Sequence, residues 1–194
     1  MEPTKWNWFP EMRILVAGIG NIFFGDDAFG CEVAQALAQR SLPEGVCVKD
    51  FGIRSYDLAY AIMDDYDATI LVDASPRGCP PGTVYLLEPD LNVLDEEDDE
   101  VVNAHSMNPV RVLQMVRSFG GAPRQLYVVG CEPAVLESDG HLGLSEKVRD
   151  AIPGAIEMIE ELIADLRSGK ILSGAVKNES ATRFHSKLIE EEKL

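Results

Sequence analysis

Short apolar runs alternate along this chain with stretches whose apolar residues fall at helical spacing. Arg13-Ile-Leu-Val-Ala17 is a brief continuous run ending at Gly18, the pattern of a strand buried on both faces. A helix is predicted over about Ala28–Arg40, with Cys31, Ala34, Leu37 and Ala38 on one side. Gly45–Asp50 reads as a second strand, Tyr56–Met63 as a short helix and Ala68–Asp73 as a third strand, the most apolar stretch in the chain. Thr83–Leu87 reads as a fourth strand. Asn108 is placed to cap a helix that opens with Pro109 and stops at Gly120-Gly121, with Val112, Leu113 and Val116 as its apolar stripe. Gln125–Gly130 makes a fifth strand. Ser145 then caps a last helix reaching about Arg167, which presents Val148, Ile152, Ala155, Ile159, Leu162 and Leu166 on one side and carries Pro153 as an expected kink.

Strands alternating with helices imply an α/β fold with a mostly parallel sheet covered on both faces. One connection departs from that pattern. Nine residues separate Ala74 from Val84, and Pro76, Pro80, Pro81 and Gly82 are among them. A parallel crossover takes a dozen or more, so the fourth strand is expected to run antiparallel at a sheet edge.

Composition sharpens this outline. With 194 residues and 46% apolar content the chain suits a single domain with one sizeable core. The net charge of −16 disfavours phosphate backbones and anionic lipid, so neither nucleic acid nor a membrane surface is expected as a partner. No apolar run reaches the length of a membrane span, and residues 1–11 are too polar for a signal peptide. Cys31, Cys47, Cys79 and Cys131 are scattered without a CxxC pair, which fits free thiols in a reducing, cytoplasmic setting. The domain is expected to span 12–168, after an aromatic leader at 1–11 and before a charged tail at 169–194. Within it, residues 88–100 carry eight acidic side chains and read as a solvated loop.

The chemistry concentrates at the end of the first strand. Gly18-Ile-Gly20 has the first two glycines of a dinucleotide fingerprint, and Asp50 stands where a ribose-binding acid would. Phe23 occupies the third glycine position, however, and Asp26-Asp27 lies where the next helix begins. Two carboxylates there repel a diphosphate. Either acid alone is explained as a helix cap. Two adjacent acids after a Gly-rich turn, at the carboxyl edge of a parallel sheet, also suit a ligand site.

These residues resemble the signature of the nickel–iron hydrogenase maturation endopeptidases: Gly18-x-Gly-Asn21, then Asp26-Asp27 and Ala28-x-Gly30. Leu71-Val-Asp73-Ala-Ser-Pro-Arg-Gly with Pro81-Gly-Thr-Val-Tyr85, Ala104-His105-Ser-Met, and Gly130-Cys-Glu-Pro133 are similar to further segments of that family, in the same order. The resemblance covers about Arg13 to Leu166. It implies a three-layer α/β/α sandwich around a five-stranded sheet. It also implies an endopeptidase that removes the C-terminal propeptide of the hydrogenase large-subunit precursor once nickel is inserted. The family's metal-site residues correspond to Asp27, Asp73 and His105. Nickel, presented by the substrate, is the implied metal, with zinc as an in vitro substitute.

The three residues also make chemical sense without the family. Strands one and three are commonly neighbours in doubly wound sheets, which brings Asp27 and Asp73 to one crevice. Two carboxylates and an imidazole suit a borderline divalent metal and leave an open coordination position. Asp26 is expected to support the loop or a ligand. Taken singly, Asp27 reads as a cap, Asp73 as the start of an Asx-turn and His105 as a loop histidine. Three other readings remain beside the endopeptidase. One is a thiol peptidase built on Cys79 with His105 as base. The others are a metal-sensing chaperone that holds the precursor without cutting it, and a nucleotide-binding enzyme using Gly18 and Gly20.

Overall fold

The computed structural model describes residues 11–89, 109–136 and 143–170. Nearly all of the leader, most of the acidic run, nearly all of the tail, and the His105, His141 and His185 positions lie outside them. Five strands form one sheet in the order β2-β1-β3-β5-β4: β1 (Ile14–Ile19), β2 (Val46–Gly52), β3 (Ala68–Ala74), β4 (Val84–Leu87) and β5 (Leu126–Cys131). The first three and β5 run parallel, and β4 is antiparallel at the edge, as its short connection requires. Its partner is β5 rather than β3, so the chain leaving β3 steps over the place that β5 later fills. Pairing with β5 leaves β3 with parallel neighbours on both sides, and every residue of β1 and β3 is buried.

Helices cover both faces, giving the expected three layers. On one face α1 (Phe29–Leu37) and α4 (Glu146–Arg167) pack Phe29, Val33, Ile159 and Ile163 against Ile14, Val16, Ile70, Val72 and Val129. On the other, α2 (Ser55–Met63) and α3 (Pro109–Ser118) pack Leu58, Ile62, Val112 and Val116 against Leu15, Ala17 and Leu71. The strict alternation of strand side chains produces this division. α4 is continuous through Pro153.

The chain leaves β1 toward α1 and β2, while β3 lies on the other side of β1. The carboxyl ends of β1 and β3 therefore border a topological switch point. Two glycines let α1 approach this point. A Cβ on Gly30 would lie 2.1 Å from the Val72 carbonyl oxygen and 2.3 Å from that of Ile19, and one on Gly18 would lie 2.2 Å from the Gly30 carbonyl oxygen.

Candidate functional site

The loop after β1 carries the acids, and its shape follows from local hydrogen bonds. The Asn21 side-chain oxygen accepts the Phe23 N–H at 3.0 Å, and the Phe24 N–H donates to the Asn21 carbonyl at 3.0 Å. A 3-10 turn, Gly25–Ala28, follows and places both acids ahead of α1. Neither one caps that helix. Its N-cap position is Ala28, without a side-chain cap bond, so the capping reading of Asp27 fails. Instead the Asp27 carboxylate turns back over the loop and accepts the Asn21 N–H at 2.7 Å.

Gly20 adopts a φ of +131°, and a Cβ there would lie 1.8 Å from the Asp27 carbonyl oxygen. The glycine thus makes room for the chain's own backbone rather than for a diphosphate. Asp50, the candidate ribose-binding acid, accepts the Gln35 side-chain N–H at 2.8 Å. The nucleotide reading loses both of its supports.

Asp73 is the penultimate residue of β3, within the strand rather than opening an Asx-turn. It is paired in register with Gly130 of β5. Strand alternation puts it on the same side as Leu71, toward α2 and α3. Only 5% of it is exposed, and burial pushes its carboxyl well above the usual carboxylate range. The negative charge of Asp27 adds to the rise, and the Ala74 backbone N–H works against it. Asp27 is itself raised by burial, with the Asn21 N–H opposing. The two carboxylates are therefore close enough to feel each other in a poorly solvated crevice. Two of the three expected site residues come together; His105 lies outside the described residues.

Asp26 is fully buried and points elsewhere. Its carboxylate accepts four hydrogen bonds, from the backbone N–H groups of Ala134, Val135 and Ser145 and from the Ser145 hydroxyl, at 2.7–3.0 Å. The Asp26 N–H in turn donates to the Val135 carbonyl at 3.1 Å. The acid fastens the Asp27 loop to the segment between β5 and α4, a supporting role of the kind expected for it.

Glu132 does similar work for the segment that follows Asp73, a role not read from its motif. It is 6% exposed, and its carboxylate accepts the Arg77 N–H at 2.6 Å and the Gly78 N–H at 3.2 Å. Its backbone extends the β4–β5 ladder, accepting from Gly82 and donating to Thr83. The Gly130-Cys-Glu-Pro133 motif was the available signal, but its partners lie more than fifty residues away. Beside it, Tyr85 donates its hydroxyl to the Ser75 carbonyl at 2.5 Å. The ring lies over Gly130, where a Cβ would sit 2.2 Å from it.

This geometry weakens the Cys79 reading. Cys79 is half-buried in the turn after β3, and the neighbouring Arg77 and Gly78 amides are committed to Glu132 rather than open to an oxyanion. Cys31 and Cys131 are free and buried, with thiols pushed up to about 12 and about 11, chiefly by burial. They are neutral packing groups.

Comparison with known proteins fixes the lineage. The family model for hydrogenase maturation protease matches residues 31–162. The chain belongs to the hydrogenase maturation protease family. The hydrogenase 2 maturation protease of Escherichia coli is 34% identical over 154 residues, covering 76% of this chain and 88% of that protein. HupD, a hydrogenase expression/formation protein of Rhizobium leguminosarum, is 34% identical over 149 residues, covering 76% and 72%. Among solved structures, the hydrogenase maturating endopeptidase HybD from E. coli superimposes with a TM-score of 0.66 at 33% identity, over 81% of this chain and 94% of that one. A [NiFe] hydrogenase maturation protease from Thermococcus kodakarensis gives 0.59 at 25% identity, over 79% and 93%. As a member of this protease family, the chain acts on protein, and its α/β architecture is that of the family's solved structures.

Proposed function

We propose that this maturation protease removes the C-terminal propeptide of a nickel–iron hydrogenase large-subunit precursor after nickel has been inserted. Asp27, Asp73 and His105 would be its metal-binding and catalytic residues. The observation that carries this reading is the buried Asp27–Asp73 pair at the switch point. Two neighbouring carboxylates whose ionisation is disfavoured suit a divalent cation, whose charge relieves both. Among the described residues no group of three His, Cys, Asp or Glu side chains assembles a metal site, so the pair needs a further ligand. His105 stands four residues before α3, and α3 covers the face of the sheet toward which Asp73 is placed.

In this reading the nickel belongs to the substrate. Asp27 and Asp73 would bind it together with ligands of the precursor, and a divalent ion held there would supply Lewis-acid chemistry. The loops around the pair keep it in position: Asn21 orients Asp27, Asp26 anchors the turn, and Glu132 fixes the segment beyond Asp73. The free thiols fit a cytoplasmic setting, and among the described residues no helix is long and apolar enough to cross a membrane.

The test is the product mass. Nickel-loaded precursor mixed with the protein should be cut once near its C-terminus, while nickel-free precursor stays intact overnight. Stable association without cutting would favour a chaperone. Efficient cutting of nickel-free precursor would remove the nickel requirement.

A further inference from the structure

The carboxyl edge of the sheet carries large apolar side chains that the core does not use. Ile22, Phe23 and Phe24 are consecutive in the Asp27 loop and are 52%, 67% and 38% exposed. Ile53 and Tyr56, at the turn into α2, are 58% and 63% exposed, and Val135, after β5, is 47% exposed. Water-facing aromatic and branched side chains gathered at one place mark an interaction surface.

Backbone hydrogen bonds join the three loops into one rim. The Gly20 N–H donates to the Gly52 carbonyl at 3.1 Å, tying the Ile22–Phe24 loop to the turn that carries Ile53. The Asp26 N–H donates to Val135, and the Val135 N–H donates to the Asp26 carboxylate at 2.9 Å. The Ile22–Phe24 segment is held in its exposed position. Asn21 accepts the amides of Phe23 and Phe24, and the Phe24 carbonyl accepts the Asp27 N–H at 3.0 Å. Another exposed apolar pair among the described residues, on α2 and just after α3, behaves differently. There Tyr60 and Phe119 stack on each other at 5.5 Å. Among the described residues, Phe23 and Phe24 have no such ring partner.

We infer that the rim formed by Ile22, Phe23, Phe24, Ile53, Tyr56 and Val135 is the docking surface for an apolar segment of the precursor flanking its metal centre. This rests on the proposed function above. The rim and the acid pair share a loop, with Phe24 three residues before Asp27, so a polypeptide brought to the pair must pass over it. The combination also defines the partner's chemistry. Two buried carboxylates at the centre call for a cation, and the surround calls for apolar side chains. The partner therefore presents a bound metal ion ringed by hydrophobic residues. A strongly acidic peptide does not fit, nor does an anionic membrane surface, because the whole chain carries −16.

The test uses the full-length protein and nickel-loaded large-subunit precursor from the same organism. Phe23→Ser and Ile53→Ser are each expected to raise KM about tenfold or more, with kcat and Tm near wild type. Tyr60→Ser, which removes an equally exposed ring from the α2 face, should leave KM unchanged. Wild-type KM in both rim variants would overturn the proposal, as would a fall in kcat alone. So would a wild-type dimer that Phe23→Ser converts to monomer without altering KM, since the rim would then serve a second copy of this chain. Asp27→Asn and Asp73→Asn separate the two layers of argument. If they still cut while the rim variants are defective, the acid-pair reading fails and the docking surface stands. If they are inert while the rim variants have normal kinetics, the docking surface alone fails.

Discussion

Asp26 and Asp27 are adjacent, chemically identical and both buried, yet they belong to opposite kinds of region. Asp26 sits in an anchoring region: four hydrogen bonds surround its carboxylate, and with Glu132 it fastens the loops at the carboxyl edge. Asp27 and Asp73 lie in a region where burial disfavours charge at both, and the charge of Asp27 adds to the rise at Asp73. The first region is satisfied and stabilises the fold. The second leaves charge poorly compensated. Strain kept at a site and offset by well-bonded neighbours is a common division in enzymes. Substitutions in the two regions should therefore have opposite signatures, activity lost without stability on one side and stability lost first on the other.

The largest effect is expected at the pair. Asp27→Asn and Asp73→Asn should each lower precursor cleavage by at least a hundredfold, with a folded circular dichroism spectrum retained. Normal cleavage by either variant would remove that residue from the site. Asp26→Ala should do the reverse. It removes the acceptor of three backbone N–H groups and a hydroxyl at a part-buried position, which costs about 3 kcal/mol. For a chain of this length that lowers Tm by roughly 10 °C, read by thermal unfolding. If Asp26→Ala stays as stable as wild type, the anchoring region is misassigned.

Much of this arrangement was legible in the sequence, and the residues explain where it was not. The apolar runs identified all five strands, most clearly β1, β3 and β5, whose burial on both faces leaves a continuous hydrophobic record. Asp73 stood out because an acid ends the most apolar run in the chain. The difference between Asp26 and Asp27 was not legible. It arises from Ala134, Val135 and Ser145, more than a hundred residues away in sequence. The role of Glu132 was hidden in the same way by its partners Arg77 and Gly78. Gly20 misled for a related reason, since a glycine that admits a phosphate and one that admits the Asp27 carbonyl look alike in a motif. The pairing of β4 with β5 rather than β3 was fixed by a strand still forty residues ahead in the chain.

A smaller effect is expected from Glu132→Gln. One amide oxygen can still accept from Arg77 or Gly78, so the loss is about 1–2 kcal/mol. Because the segment it holds follows Asp73, cleavage should fall severalfold even where the protein is fully folded. Chemical denaturation and a single-turnover cleavage assay would report the two quantities separately. Unchanged cleavage at full folding would confine Glu132 to stability.

The smallest effect is the most direct test of the comparison, because it concerns the direction of a pH dependence. Burial and the Asp27 charge raise the folded-state pKa of Asp73 above its ordinary value of 3.8. The folded protein therefore binds this proton more tightly than the unfolded chain does. The resulting stability is fully present below about pH 3.8 and is lost as pH rises through the raised folded pKa. At neutral pH the wild-type protein has lost it, whereas Asp73→Asn has no carboxyl to ionise. The variant should then be more stable than wild type by a few degrees in Tm at pH 7, despite being inactive. That advantage should shrink as pH is lowered toward 4, where both proteins carry a neutral side chain at this position. Matched thermal scans of the two proteins at pH 7, 6, 5 and 4 measure the difference. An advantage that stays constant with pH, or a variant less stable than wild type at pH 7, would mean that Asp73 is a well-compensated anchor like Asp26 rather than half of an uncompensated pair.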